Sequence, residues 1–320
     1  MSFGLTIVSV AGLLTSGLAS RLAMDHPNLR SLHSRPTPRC GGLGIVAGLL
    51  TGSTLVSGVP VLLPALVLVL AGVSFLNDRI EIPIVARLGV HMLAGSAWAM
   101  FVLAGDPCWV ITVAALTTVW STNLYNFMDG ADGLAGGMGV LGFGTFAVAG
   151  ALADQTELIG IAACAAAAAA AFLLFNFPPA RIFMGDSGSI PLGFLSAALG
   201  VWGWRDGAWP WWFPALVFSP FLVDSSITLA RRILRGDRFW QPHKEHYYQR
   251  MVRMGWGHRR TALMGYALMA MAAASGIALI GAPLAIQSVA FVFWILLYAF
   301  VAGYIDASWN RHVRTAEEAK

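Results

Sequence analysis

Apolar residues run along this chain in long blocks, and short polar stretches between them carry nearly every charge. A helix needs about 20 apolar residues to cross a hydrocarbon core. Eleven blocks approach that length, at roughly 3–20, 42–57, 59–76, 87–104, 108–125, 134–153, 157–175, 188–204, 209–229, 261–281 and 284–305. The pattern predicts an all-α integral membrane protein with about 11 transmembrane helices. The first block begins at Phe3 with no Lys or Arg before it, so it is expected to stay as a span and not to act as a cleaved signal peptide. The alanine run Ala165–Ala171 and the glycines between Gly133 and Gly144 are small residues that let helices approach closely. No soluble-type repeat and no domain-separating linker interrupts the series, so residues 1–320 are expected to form a single polytopic domain.

Composition supports this reading. The 320 residues are 57% hydrophobic and 11% charged, with a mean hydropathy of +0.69, against about 25% charged in a soluble domain. The net charge of +4 suggests no nucleic-acid partner, because the excess of basic residues on cytoplasmic loops explains it. With the N-terminus outside and the C-terminus cytoplasmic, all 20 Lys and Arg except Arg205 fall inside. They are Arg21, Arg30, Arg35 and Arg39; Arg79 and Arg87; Arg181; the cluster from Arg231 to Arg260; and Arg311, Arg314 and Lys320. Cys40, Cys108 and Cys164 lie in different segments without a CxxC pattern, which argues against a disulfide framework or a zinc site.

The same topology gathers Asp25, His26, His33, Asn77, Asp78, Asn126, Asp129, Asp132, Asn176, Asp186, His243, His246 and His258 at the inner face. Five loops contribute, at about 21–41, 77–87, 126–133, 176–187 and 230–260. Ionisable groups near membrane depth are costly and mark functional sites. In NFMDGADGLAGG, Asn126, Asp129 and Asp132 would share one helical face at i, i+3 and i+6, with Gly130 and Gly133 permitting a turn. Two carboxylates this close repel unless a cation lies between them, and Mg²⁺ is the natural oxygen-liganded partner. In RIFMGDSGS, Asp186 is either an N-cap or a metal ligand beside a phosphate-binding helix start. In FLNDR, Asp78 taken singly reads as a snorkelling ion pair with Arg79. The loop QPHKEHYYQRMVRMGWGHRR would be drawn to anionic lipid, but attraction to lipid does not require its histidines. His33, Arg35 and Arg39, around the PTPR turn, supply donors for a phosphate.

These five segments, in this order over about residues 20 to 260, resemble the polyprenyl-phosphate N-acetylhexosamine-1-phosphate transferase family, relatives of phospho-N-acetylmuramoyl-pentapeptide transferase. NFMDGADGLAGG and RIFMGDSGSIPLGF are its most specific motifs, and HKEHYYQRM looks more like the O-antigen-initiating branch than the peptidoglycan branch. The resemblance implies a bacterial inner-membrane enzyme that moves sugar-1-phosphate from a UDP-N-acetyl sugar to undecaprenyl phosphate, with Mg²⁺ or Mn²⁺ as cofactor and UMP as by-product. It implies Asp186 and Asp129 as metal ligands. Asp78, Asp129, Asp132, His243 and His246 would be catalytic. Asn126, Phe183 and Asn176 would hold the nucleotide sugar, and His33, Arg35 and Arg39 the lipid phosphate. A homodimer is compatible with it. Asn77 stands where the family usually has the first of two aspartates; an amide cannot act as a base, so a mechanism that relies on that carboxylate does not carry over. Cys40 replaces a usual glycine. A transporter or flippase is the alternative, but such proteins place their ionisable residues near the bilayer midplane, whereas here the span interiors hold almost none; Asp224, near the inner end of the ninth block, is the main exception.

Overall fold

A computed structural model describes residues 1–27, 31–238, 241 and 243–318; Arg30 and Lys320, both assigned to the inner face, lie outside the described residues. The helices are α1 (Ser2–Thr15), α2 (Leu18–Leu22), α3 (Gly41–Ser53), α4 (Leu62–Arg79), α5 (Ile84–Val102), α6 (Cys108–Phe127), α7 (Leu134–Leu152), α8 (Thr156–Asn176), α9 (Asp186–Arg205), α10 (Phe213–Val217), α11 (Ser219–Leu234), α12 (Tyr247–Met251), α13 (Gly257–Leu279) and α14 (Leu284–Glu318). A π turn, Val252–Trp256, joins α12 to α13. One small ladder departs from the all-helical expectation: β1 (Met24–Asp25) pairs antiparallel with β2 (Thr37–Pro38).

Each expected apolar block is helical over most of its length. Among the described residues, α4, α5, α7, α8, the run Tyr247–Leu279 and α14 are long and apolar enough to cross a membrane. Helices α1 and α3 are shorter and apolar, while α6 and α9 are as long as a span but carry more hydroxyl, amide or charged side chains. The protein is an all-α membrane protein.

Three blocks differ from expectation. The first is broken into α1 and α2, with Gly17 at φ +69° between them. The ninth is broken into α10 and α11, because Pro214 and Pro220 each fall in the first turn of a new helix, where the missing N–H is harmless, whereas in a continuous helix it would remove a bond and clash. The eleventh continues as helix to Glu318; 35 residues at about 1.5 Å each give roughly 50 Å, well beyond the ~30 Å hydrocarbon core.

The central helix is α9, buried along most of its length and packed on α6, α4 and α3. Glycine permits the closest of these crossings. A Cβ on Gly42 would lie 2.2 Å from the Gly188 nitrogen, so α3 and α9 meet backbone to backbone. Gly42→Ala is therefore expected to force the two helices apart and to cost at least about 1–3 kcal/mol, as overpacking does. A lower melting temperature in detergent is the expected readout; an unchanged one would mean the crossing is looser than described. At this end of the bundle, the C-terminal ends of α4, α6 and α8 meet the starts of α3, α7 and α9.

Candidate active site

Backbone hydrogen bonds join the turn before α3 to the loop before α9. Phe183 N–H donates to the Pro38 carbonyl at 2.7 Å, Gly41 N–H to Phe183 at 3.0 Å, and Gly42 N–H to Met184 at 2.9 Å. Gly185 then takes a φ of +71°, a conformation that costs glycine little. A Cβ there would also lie 2.3 Å from the Arg39 carbonyl. Gly185 is the N-cap of α9, with no side-chain capping bond, and Asp186 is the first helical residue. The capping alternative for Asp186 is thereby excluded. Its carboxylate is held instead by Asn77, whose Nδ2 donates to Oδ2 at 2.9 Å, and by Arg87 Nη2 at 3.2 Å. Asn77 Oδ1 accepts the Ile82 N–H at 3.2 Å. The amide that replaces the family's usual carboxylate is thus a two-sided clip between the α4–α5 turn and Asp186.

Asp78 is buried, its side chain 1% exposed. Oδ2 accepts the Ser187 N–H at 3.3 Å, and Arg39 Nη2 lies 3.3 Å from Oδ1 while donating to the Asp78 carbonyl at 3.1 Å. The partner is therefore Arg39 and not the adjacent Arg79, whose guanidinium lies over the Phe75 ring at 5.7 Å. Apart from that ion-pair contact, Oδ1 has no hydrogen bond.

Asn126, Asp129 and Asp132 do not share a helical face, because α6 ends at Phe127 and the chain turns through Gly130 and Gly133, the latter at φ +78°. The three go to different places. Asn126 Oδ1 accepts the Ser189 hydroxyl at 2.7 Å. Asp129 accepts the Gly185 N–H; burial, with Asp186, Asp78 and Asp132 nearby, pushes its carboxyl well above the usual range. Asp132 accepts the Ala180 N–H at 3.0 Å and lies 3.2 Å from His258 Nδ1. Burial acts to raise the Asp132 carboxyl, but these two partners outweigh it and hold it below the usual range. His258 Nε2 reaches the Leu32 carbonyl at 3.2 Å. Asn176 accepts the Gly133 N–H and donates to the Ile182 carbonyl, both at 2.9 Å, so its amide is committed to splicing two backbone segments. The Phe183 ring meets His33 edge-on at 4.9 Å, and His33 Nε2 is buried without a hydrogen-bond partner. Arg35 is exposed.

The histidine loop is organised by Asp224 of α11. Its Oδ1 accepts from the Tyr247 N–H at 3.0 Å and lies 3.1 Å from His246 Nδ1, and its Oδ2 accepts the Tyr248 N–H at 3.1 Å. Asp224 therefore caps α12 and orients His246, whose ring is 4.9 Å from that of His243. Burial, with His246 and Arg232 nearby, lowers His243 to about 4, so it is neutral at pH 7. The Tyr248 hydroxyl donates to the Phe127 carbonyl at 3.0 Å and so ties this loop to the Asp129 turn. Arg232 and Arg235 both grip Glu245, and Arg253 donates to the Lys244 carbonyl at 3.1 Å.

The structure thus brings together Asp78, Asp129 and Asp186, with Arg39 and Arg87 beside them, from four separate segments. Asp132 with His258, and His246 with Asp224, form two flanking clusters. Sequence reading missed the parts played by Arg87 and Asp224, although an ionisable residue inside an apolar block is a visible signal. Among the described residues, no three Asp, Glu, His or Cys side chains form a ready-made metal cage. Mg²⁺ does not require one, since it keeps several waters and takes one or two carboxylates. The crowded acids around Asp129 and the unsatisfied Oδ1 of Asp78 are what such an ion would relieve.

A family model described as glycosyl transferase family 4 matches residues 60–203. The chain is 31% identical over 309 residues to a decaprenyl-phosphate N-acetylglucosaminephosphotransferase of Mycobacterium leprae, covering 79% of this chain and 76% of the relative. It is 28% identical over 268 residues to a probable undecaprenyl-phosphate N-acetylglucosaminyl 1-phosphate transferase of Bacillus subtilis, covering 76% and 74%. It is 27% identical over 337 residues to an undecaprenyl-phosphate alpha-N-acetylglucosaminyl 1-phosphate transferase of Yersinia pestis, covering 93% and 90%.

Proposed function

The chain belongs to glycosyl transferase family 4, and on that premise we propose that it transfers N-acetylhexosamine 1-phosphate from a UDP-sugar to a polyprenyl phosphate. The product is a lipid diphosphate-sugar and the by-product UMP. The observation that carries the reading is the meeting of Asp78, Asp129 and Asp186 with Arg39 and Arg87 at one end of the helix bundle. We place that end at the cytoplasmic face of a bacterial inner membrane, where the product would begin O-antigen or another envelope polysaccharide.

In the reaction a lipid phosphate oxygen attacks the β-phosphorus of the UDP-sugar, and the bond from that phosphorus to the α–β bridging oxygen breaks. Two anions must meet, so catalysis is mainly positioning and charge stabilisation. Asp186 and Asp129 would hold Mg²⁺ or Mn²⁺, which neutralises the diphosphate and the departing UMP when bound. Arg39 and His33, with Arg35 at the rim, are suited to the lipid phosphate. Phe183 and Asn126 would contact the nucleotide. His246, oriented by Asp224, and the neutral His243 would act on the phosphates from the flanking loop. A phosphate monoester has its second pKa at about 6, so the acceptor is mostly ionised at pH 7 and little base catalysis is required. A neutral Asn77 is compatible with that chemistry. Purified protein given undecaprenyl phosphate and a panel of UDP-sugars should release UMP with at least one; no release with any would refute the reading.

Eleven spans with the N-terminus outside account for the charge distribution. Reporter fusions after Gly105, Asp154 and Asp206 are expected to signal the outside, and fusions after Arg79 and Arg235 the cytoplasm. A cytoplasmic signal after Asp206 would break this topology.

A further inference from the structure

Helix α14 is lightly packed in its apolar part: Trp294 and Ile305 are its buried residues. Its cytoplasmic extension behaves differently. Asp306 takes a bidentate bond from Arg231, Nη1 to Oδ1 at 2.9 Å and Nη2 to Oδ2 at 2.7 Å. It also accepts from Arg250 Nη1 at 2.8 Å and from the Tyr247 hydroxyl at 3.4 Å. Both guanidiniums flank the Tyr247 ring, at 5.3 and 5.6 Å from its centroid. One turn further on, the Trp309 ring lies 4.5 Å from the Arg253 guanidinium.

Tyr247 and Arg250 belong to α12, the short helix whose N-cap is His246. A helix of five residues has no stability of its own, so its position depends on outside contacts. Asp224 holds its N-terminus, Tyr248 ties it to the turn carrying Asp129, and Asp306 holds its side. Without the Asp306 charge, Arg231 and Arg250 would face each other across Tyr247 as unneutralised like charges, and α12 would be pushed from its seat.

We propose that the cytoplasmic end of α14 is a brace for the active site, with Asp306 as a positioning residue that sets the histidine loop through Arg231, Arg250 and Tyr247. This rests on the transferase reading given above. Bidentate pairing of arginine with carboxylate is directional as well as strong, which suits a brace better than a general attraction between the loop and the helix.

The test compares three variants of the full-length protein in detergent. Asp306→Asn keeps the shape and removes the charge; it should lower kcat for UMP release at least about tenfold. It should also speed tryptic cleavage between Arg235 and Lys244, a readout of loop release that is independent of activity. Asp306→Glu keeps the charge and should recover most of the lost kcat. Tyr298→Phe removes another anchor of the same helix, the 2.6 Å bond to Ser219, and should leave both readouts close to those of the unmodified protein. The brace is overturned by Asp306→Asn behaving like the unmodified protein in cleavage and kcat, or by Tyr298→Phe disturbing both readouts as strongly. Should the unmodified protein release no UMP, the transferase reading fails, and the cleavage comparison still decides whether Asp306 holds the loop.

Discussion

Asp186→Asn is expected to lower UMP release by about a thousandfold or more. The loss corresponds to several kcal/mol of transition-state charge stabilisation, at about 1.36 kcal/mol per factor of ten. A neutral amide is a poor substitute for an anionic oxygen ligand of Mg²⁺. Folding should survive. Asp186 is not the cap of α9, since Gly185 holds that position, and its contacts to Asn77 and Arg87 are a hydrogen bond and a partly buried ion pair. An amide oxygen can still accept from both. The measurement is UMP release across a Mg²⁺ titration, with monodispersity in detergent as the folding control. A well-folded variant with normal turnover and unchanged Mg²⁺ dependence would remove Asp186 from the ligand set.

Asp129→Asn is expected to move activity and stability in opposite directions. Burial and three neighbouring carboxylates act against the Asp129 charge. Without a bound cation, its ionised form is therefore a liability in the folded state. An amide keeps an acceptor for the Gly185 N–H and removes the repulsion. In metal-free buffer at pH 7 the melting temperature should rise by a few degrees, as about 1 kcal/mol implies, while turnover falls at least about a hundredfold through loss of a ligand. Strain of this kind at a functional site, relieved at the expense of activity, is a common trade-off. A variant that melts earlier than the unmodified protein in metal-free buffer would show that the Asp129 charge is already compensated within the protein.

The apolar blocks were legible because length and hydropathy alone select helices in a bilayer, and the five polar loops because charge there is expensive. What escaped was pairing. Asp78 was read with its neighbour Arg79, but the fold brings Arg39 from 39 residues away, because Arg79 points along the same helix end to Phe75. Asn126, Asp129 and Asp132 fit one helical face by spacing, but α6 ends at Phe127, before Asp129, and the turn through Gly130 and Gly133 carries each side chain to a different partner. Asn77 looked like a lost carboxylate; its amide proves to be a donor to Asp186, a use visible only once α4 and α9 are adjacent. Asp224 stood out in the sequence as an exception to the inner-face pattern. Its purpose, capping a five-residue helix 22 residues later, depends on a loop path that periodicity does not encode.

In the proposed reaction the sugar travels with its phosphate. UDP-N-acetylglucosamine labelled at the β-phosphorus, incubated with the purified protein, undecaprenyl phosphate and Mg²⁺, tests it most directly. The label should move into the lipid fraction while unlabelled UMP appears in equal amount. Sugar recovered in the lipid while the label stays in soluble UDP would show transfer of the sugar alone, and would contradict it.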